Sequence, residues 1–270
     1  MLHMQYYKIG KDTYEYEMLK RFGFVAFVFA LSGLGCAPHH SSSCREITYK
    51  EQNFMVCHFI AGEDDMRMFL TDENQRPYYT FANVQKALAA QNEVLLFGMN
   101  AGMYDKKRNP VGLYVEDGQK LKTLNLKSGK GNFHMMPNGV FSLNGTDVRI
   151  EDSASFKASK RKVKFATQSG PLLVIGGELH PRFQALSKSK YIRNGVGVSG
   201  RNVYFVISNE TVNFYTFASI FKDVLKTPNA LYLDGAVSKV YVPDFNRHDY
   251  GRAMGPMIGV VGSKVRNDER

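Results

Sequence analysis

The chain is short of the usual signatures of membrane spans, metal centres and activated serines. No apolar run reaches the roughly 20 residues that a transmembrane helix needs. The longest mostly apolar stretch runs only from Phe22 to Leu34. No paired His or Cys spacing marks a metal site. Ser169 lacks the Gly-x-Ser-x-Gly setting of a nucleophile elbow. Internal repeats, long low-complexity linkers and nucleic-acid motifs are missing too. The sequence therefore requires no cofactor, and a catalytic site must be sought in carboxylates and hydrogen-bond donors.

Cysteines are few: Cys36, Cys44 and Cys57. Their setting follows from the N-terminus. Met18-Leu19-Lys20-Arg21, the apolar stretch Phe22 to Leu34 and small residues at its exit form a secretory signal. Residues 1–17 are charged and sit awkwardly ahead of it, so translation is expected to start at Met18. Cys36 stands where a bacterial lipoprotein carries its lipid, although Gly33 occupies the position usual for Leu. Cleavage near Gly35 without lipidation fits equally well. Residues 1–35 are thus read as extension and signal, 36–43 as a tether and 44–270 as the folded domain. The destination is the periplasm or cell envelope of a bacterium, with membrane attachment through Cys36 as one alternative. In an oxidising compartment Cys44 and Cys57 are expected to pair. The alternative is a free Cys57 buried in FMVCHFI.

Roughly 235 residues follow Cys36, ample for one core. A net charge of +10 suits an anionic partner: a phosphorylated glycan, lipid headgroups or nucleic acid. Export and the missing motifs argue against nucleic acid. The lysines of SFKASKRKVKF (Ser155 to Phe165) read as a solvated loop or hairpin rim. Strand patterns cover Phe54–Ile60, Met66–Leu70, Val94–Met99, Gly112–Val115, Gly139–Leu143, Leu172–Ile175, Gly195–Val198, Val203–Ser208 and Ala230–Leu233. Asn144-Gly145 and Glu116-Asp117-Gly118 have hairpin-turn chemistry. Helical spacing covers Phe81 to Gln91 and Phe214 to Leu225, the second with Asn213 as N-cap. The expected class is α+β: a strand-rich single domain with a mixed twisted sheet and few packed helices.

Four segments place polar groups beside Gly or Pro at the end of an apolar run, where a rigid strand can position a site. They are Asn100-Ala101-Gly102-Met103-Tyr104-Asp105, Gln168-Ser169-Gly170-Pro171, Ile192-Arg193-Asn194-Gly195 and Leu233-Asp234-Gly235. Each has a plain alternative. Asp105 reads equally as a solvated turn residue, Asp234-Gly235 as a turn, and Arg193 as one surface cation among many. His134 is the histidine best placed to line a pocket, with a structural role as the alternative.

Together NAGMYDKKRNPVGLYVEDGQ, GNFHMMPNGVF, ATQSGPLLVIGGELHPRF, YIRNGVGV and NALYLDG resemble, in order, the phosphodiester-glycosidase domain family. That family includes the mammalian uncovering enzyme, which removes N-acetylglucosamine from phosphate-linked mannose. The resemblance spans Cys44 to Val261 and includes two cysteines at the spacing of Cys44 and Cys57. It implies a sugar-1-phosphodiester or phosphorylated glycan as substrate and cleavage of the sugar C1–O bond. The phosphate monoester is then a good leaving group. The enzyme must hold it, stabilise the anomeric centre and supply water or a nucleophile.

On this reading Arg193 clamps phosphate through paired hydrogen bonds. Ser169, Gly170 and Asn194 add neutral donors. Asp234 is base or nucleophile, with Asp105 or Glu178 as the second carboxylate. Asn100 and Tyr104 bind sugar hydroxyls or order Asp105. Asn100, Asp105 and Asp234 also offer oxygens for a divalent cation. The chain departs from the better-studied members at Gly235-Ala236-Val237-Ser238-Lys239 and at Arg193-Asn194-Gly195-Val196-Gly197. The first departure keeps open a phosphoglycan-binding protein without catalysis. Export and lipidation keep open an envelope-assembly protein, and a phosphodiesterase cutting the phosphorus–oxygen bond is a third alternative.

Overall fold

The computed structural model describes residues 43–234 and 237–264. The expected extension, signal and lipidation site at Cys36, and Gly235-Ala236, lie outside the described residues. Three sheets share one core. The largest runs, in order, Cys44–Tyr49, Gln52–Ile60, Asn202–Ser208, Asn194–Ser199, Asn229–Tyr232, Leu172–Ile175 and Glu178–Leu179. A second contains Arg247–His248, Val240–Val242, Glu93–Asn100, Met257–Ser263 and Asp65–Phe69. The third contains Gln119–Lys122, Tyr114–Glu116, Phe165–Ser169, Gly139–Asn144 and Asp147–Asp152. The α+β, strand-rich class holds.

One detail is corrected. The named strands pair only antiparallel, so the expected mixed sheet is instead three antiparallel ones. Tight turns such as Asn144-Gly145 and Glu116-Asp117-Gly118 join neighbouring strands, where a parallel pair would need a long crossover. Gly145, Asp117 and Gly118 take the positive φ that these turns require.

Alternation builds the layers, because successive strand side chains face opposite sides. Met55, Cys57 and Phe59 point into the shared core with Val203, Phe205 and Ile207, and with Phe97, Met99, Phe141 and Ile258 of the other sheets. The opposite face of the large sheet buries Phe54, Val56, Val206, Ala230 and Tyr232 beneath the helix Phe214–Ser219 and its π-helical continuation Ile220–Val224. Asn213 caps that helix, its side chain accepting the Thr216 N–H at 2.9 Å. Gly197 lets the helix approach, since a Cβ there would lie 2.6 Å from the Phe221 ring. Phe81–Ala89 covers the second sheet through Phe81, Val84 and Leu88.

The lysine-rich segment is not a plain loop or rim. Ser153–Ser159 is a short helix, capped by Asp152 and anchored by Phe156 on Leu113, Val115, Val140 and Ala166 of the third sheet. Cys44 and Cys57, opposite each other in paired strands, form the expected disulfide. Among the described residues no helix is long and apolar enough to cross a membrane.

Candidate active site

Three strand ends meet around Asn194. Its side chain, fully buried at the start of Asn194–Ser199, donates through Nδ2 to the Asn100 carbonyl at 2.9 Å. Its Oδ1 accepts the Asp234 N–H at 3.2 Å and the Ser238 hydroxyl at 3.1 Å. Asn100, at the end of Glu93–Asn100, accepts the Lys239 N–H on its Oδ1 at 2.8 Å. Ser169, at the end of Phe165–Ser169, donates its hydroxyl to the Leu233 carbonyl. Asn100, Asn194, Ser169 and Asp234 are thus brought together, as the four strand-end segments suggested. Asp234 is 7 % exposed, seated just past the buried strand Asn229–Tyr232. Gly170 follows Ser169, where a Cβ would meet Asn138 at 2.6 Å.

Two phenols share this setting. Burial, and then the negative charge of Asp234, hold the Tyr104 hydroxyl well above the usual tyrosine range. Tyr232 is shifted the same way, by burial first, with Arg193 opposing and Asp234 reinforcing. Both stay protonated at neutral pH and can donate hydrogen bonds. Tyr232 lies two residues before Asp234, as the last residue of the strand Asn229–Tyr232. Ser238 and Lys239, like Tyr232, were missed as site residues. Their roles follow from the return of the chain beside Asn100. The Lys239 ammonium donates to the Arg252 carbonyl at 2.6 Å, and burial lowers its pKa, with Asp249 partly opposing.

Arg193 takes a different place from the expected phosphate clamp. It precedes Asn194 and so points to the other face, where its guanidinium is fully buried 3.6 Å from the centre of the Phe214 ring. A stack of rings continues from Phe214 to Phe183 at 5.0 Å and His180 at 4.8 Å. Nε donates to the Val212 carbonyl at 2.8 Å and Nη2 to the Ser189 carbonyl at 3.1 Å. A two-pronged grip is therefore not on offer. The Arg193 guanidinium and the Tyr232 hydroxyl form a buried pair, each shifting the other's ionisation.

The remaining candidates serve local structure. The Asp105 carboxylate accepts the Lys107 N–H at 2.8 Å and the Asn109 N–H at 3.0 Å, closing its own exposed loop. Burial works against its ionisation, but these N–H groups outweigh it and leave its pKa lowered. Glu178 is exposed on an edge hairpin, ion-paired with Lys222 at 2.5 Å. His134 Nδ1 bonds the Lys127 carbonyl at 2.8 Å, and its ring packs on Gly129. The oxygen trio considered for a cation is divided: Asn100 Oδ1 holds Lys239, and Asp105 holds its loop.

A strand-end carboxylate, neutral donors and a buried cation on a strand-rich scaffold are the parts of a site for a polar, oxygen-rich ligand. Comparison with known proteins gives the family. Residues 94–261 match the family model described as phosphodiester glycosidase, and the chain belongs to this family. The chain is 39 % identical over 178 residues to the Escherichia coli (strain K12) protein YigE, described as uncharacterized. The match covers 66 % of this chain and 69 % of that one. The fold is similar to the catalytic domain of zebrafish N-acetylglucosamine-1-phosphodiester alpha-N-acetylglucosaminidase, auto-inhibited by its pro-peptide, with a TM-score of 0.57. Identity there is 13 %, covering 80 % of this chain and 81 % of that one, so the likeness concerns the fold alone.

Proposed function

We propose that the chain is an exported hydrolase that cleaves the C1–O bond of a sugar-1-phosphodiester in an envelope or extracellular phosphoglycan. The observation that carries this reading is the Asp234 carboxylate. Its main chain is held at a strand end by Asn194, whose side chain accepts the Asp234 N–H and also reaches Asn100 and Ser238. A good phosphate leaving group needs little protonation, so one well-placed carboxylate can dominate the chemistry. Asp234 acts as base toward water or as nucleophile at the anomeric carbon. Protonated Tyr104 donates to sugar or phosphate oxygens, while the fully buried Tyr232 acts on Asp234 from within the core. Arg193 works from within the core through its charge on Tyr232, rather than by a bidentate grip. Export rests on the N-terminal signal pattern and the Cys44–Cys57 disulfide. The test is release of reducing sugar from a sugar-1-phosphodiester. Asp234→Asn is expected to abolish turnover while leaving the domain folded, and an Asp234→Asn protein with full turnover overturns the assignment.

A non-catalytic phosphoglycan-binding protein is the second reading, favoured by the departure of the run Gly235-Ala236-Val237-Ser238-Lys239 from the family pattern. Tight glycan binding without product distinguishes it.

A further inference from the structure

The outer face of the third sheet carries a groove of about 650 Å³, unrelated to the Asp234 cluster. Its floor is apolar: Leu113 and Val115 from the sheet, with Leu124, Phe156 and Val163 packed against them. Its rim carries Lys120, Lys157, Lys160 and Lys162, all exposed. The fold creates this pattern. Lys160 takes a left-handed conformation at φ 50° and ends the helix Ser153–Ser159, turning the following residues back over the groove. Arg161 is neutralised by Asp147 and Glu151, which pins that return to the neighbouring hairpin. Among the described residues, the four rim lysines have no such acidic partner. The edge strand Gln119–Lys122 is exposed throughout and borders the groove, with Leu121 48 % exposed. Leu126, 40 % exposed, follows the same edge.

We propose that this face docks on anionic phospholipid at a bilayer surface. The lysines would meet lipid phosphates, while the floor and the outward leucines take the apolar upper part of the lipid. Lysines alone would suit any polyanion, but the apolar floor and exposed leucines gain nothing from a soluble acidic polymer. An interface between headgroups and acyl chains rewards both.

The test uses the full chain and vesicles of phosphatidylcholine, alone or mixed with phosphatidylglycerol. The apolar N-terminal stretch contributes to both kinds, so the readout is the ratio of the two partition coefficients. That ratio is expected to exceed one and to fall with salt. Each surface lysine contributes about 1 kcal/mol at an anionic membrane, so Lys157→Gln with Lys162→Gln should lower the ratio about thirtyfold. Phe156→Ser should lower it severalfold while keeping its salt dependence. Equal partition to both vesicle types, or a ratio unchanged in the double lysine variant, overturns the proposal. So does a ratio unchanged in Phe156→Ser with the melting curve intact, because the lysines then act as diffuse charge. Poly-glutamate that binds the parent as tightly as the anionic vesicles do would also overturn it.

Discussion

Replacing Asn194 by Ala tests the cross-strand tie that seats Asp234. The substitution removes the acceptor of the Asp234 N–H and the side-chain donor to the Asn100 carbonyl, both buried. Each buried polar group left unsatisfied costs about 1–3 kcal/mol. Ser238 contributes little to the loss, because its hydroxyl also reaches the Ile192 and Asp234 carbonyls. With a small cavity added, the expected destabilisation is roughly 3–5 kcal/mol. Urea unfolding should show a lower midpoint with an unchanged slope, since the surface exposed on unfolding is the same. Turnover at a temperature where the variant stays folded should fall about a hundredfold, because the main chain that carries the Asp234 carboxylate loses its anchor. A loss of stability below about 1 kcal/mol, the scale of a solvated hydrogen bond, would refute the reasoning. So would an Asn194→Ala enzyme with parental turnover.

Other predictions follow from single contacts. Glu116 is half-buried, and this desolvation raises its pKa to about 7 against the opposing hydrogen bonds from the Tyr114 hydroxyl and the Leu70 N–H. The folded state then binds the proton more tightly than the unfolded chain. Stability should fall by on the order of 2–3 kcal/mol as pH rises from about 4.5 to about 7 and level off above that. Glu116→Gln should remove that slope in pH-dependent unfolding. Glu178→Ala breaks only an exposed ion pair, so it should shift stability by less than about 1 kcal/mol and leave turnover unchanged. Gly197→Ala drives a methyl into Phe221 and should cost about 1–3 kcal/mol in thermal unfolding. Cys44→Ala with Cys57→Ala opens a short closed loop and should lower stability by about 3 kcal/mol, measured against the oxidised parent.

The legible parts of the fold were those with a buried face. Phe54–Ile60, Val203–Ser208 and both longer helices were readable because their apolar residues line up in the core. Gln119–Lys122 was not, since an edge strand exposed on both faces has no alternation to read. Ser153–Ser159 has only Phe156 as an apolar anchor and depends on the Asp152 cap. Gly259 and Gly262 interrupt Met257–Ser263, whose place between two strands is set by tertiary pairing. For the site, the idea of polar groups at strand ends located Asn100, Ser169, Asn194 and Asp234. It could not place Arg193, because the cover over its guanidinium comes from Phe214, on a helix beyond the next strand. It ranked Asp234 above Asp105, because an apolar run feeds directly into Asp234. The burial of Asp234 and the bonding of Asp105 to its own exposed loop separate them in the same sense.

The most direct test of the account is hydrolysis of a sugar-1-phosphodiester in ¹⁸O-labelled water by the parent protein and by Asp234→Asn. The account predicts label on the sugar C1 hydroxyl, none on the phosphate, and loss of turnover in the variant. Label on the phosphate, or full turnover without the Asp234 carboxylate, would contradict it.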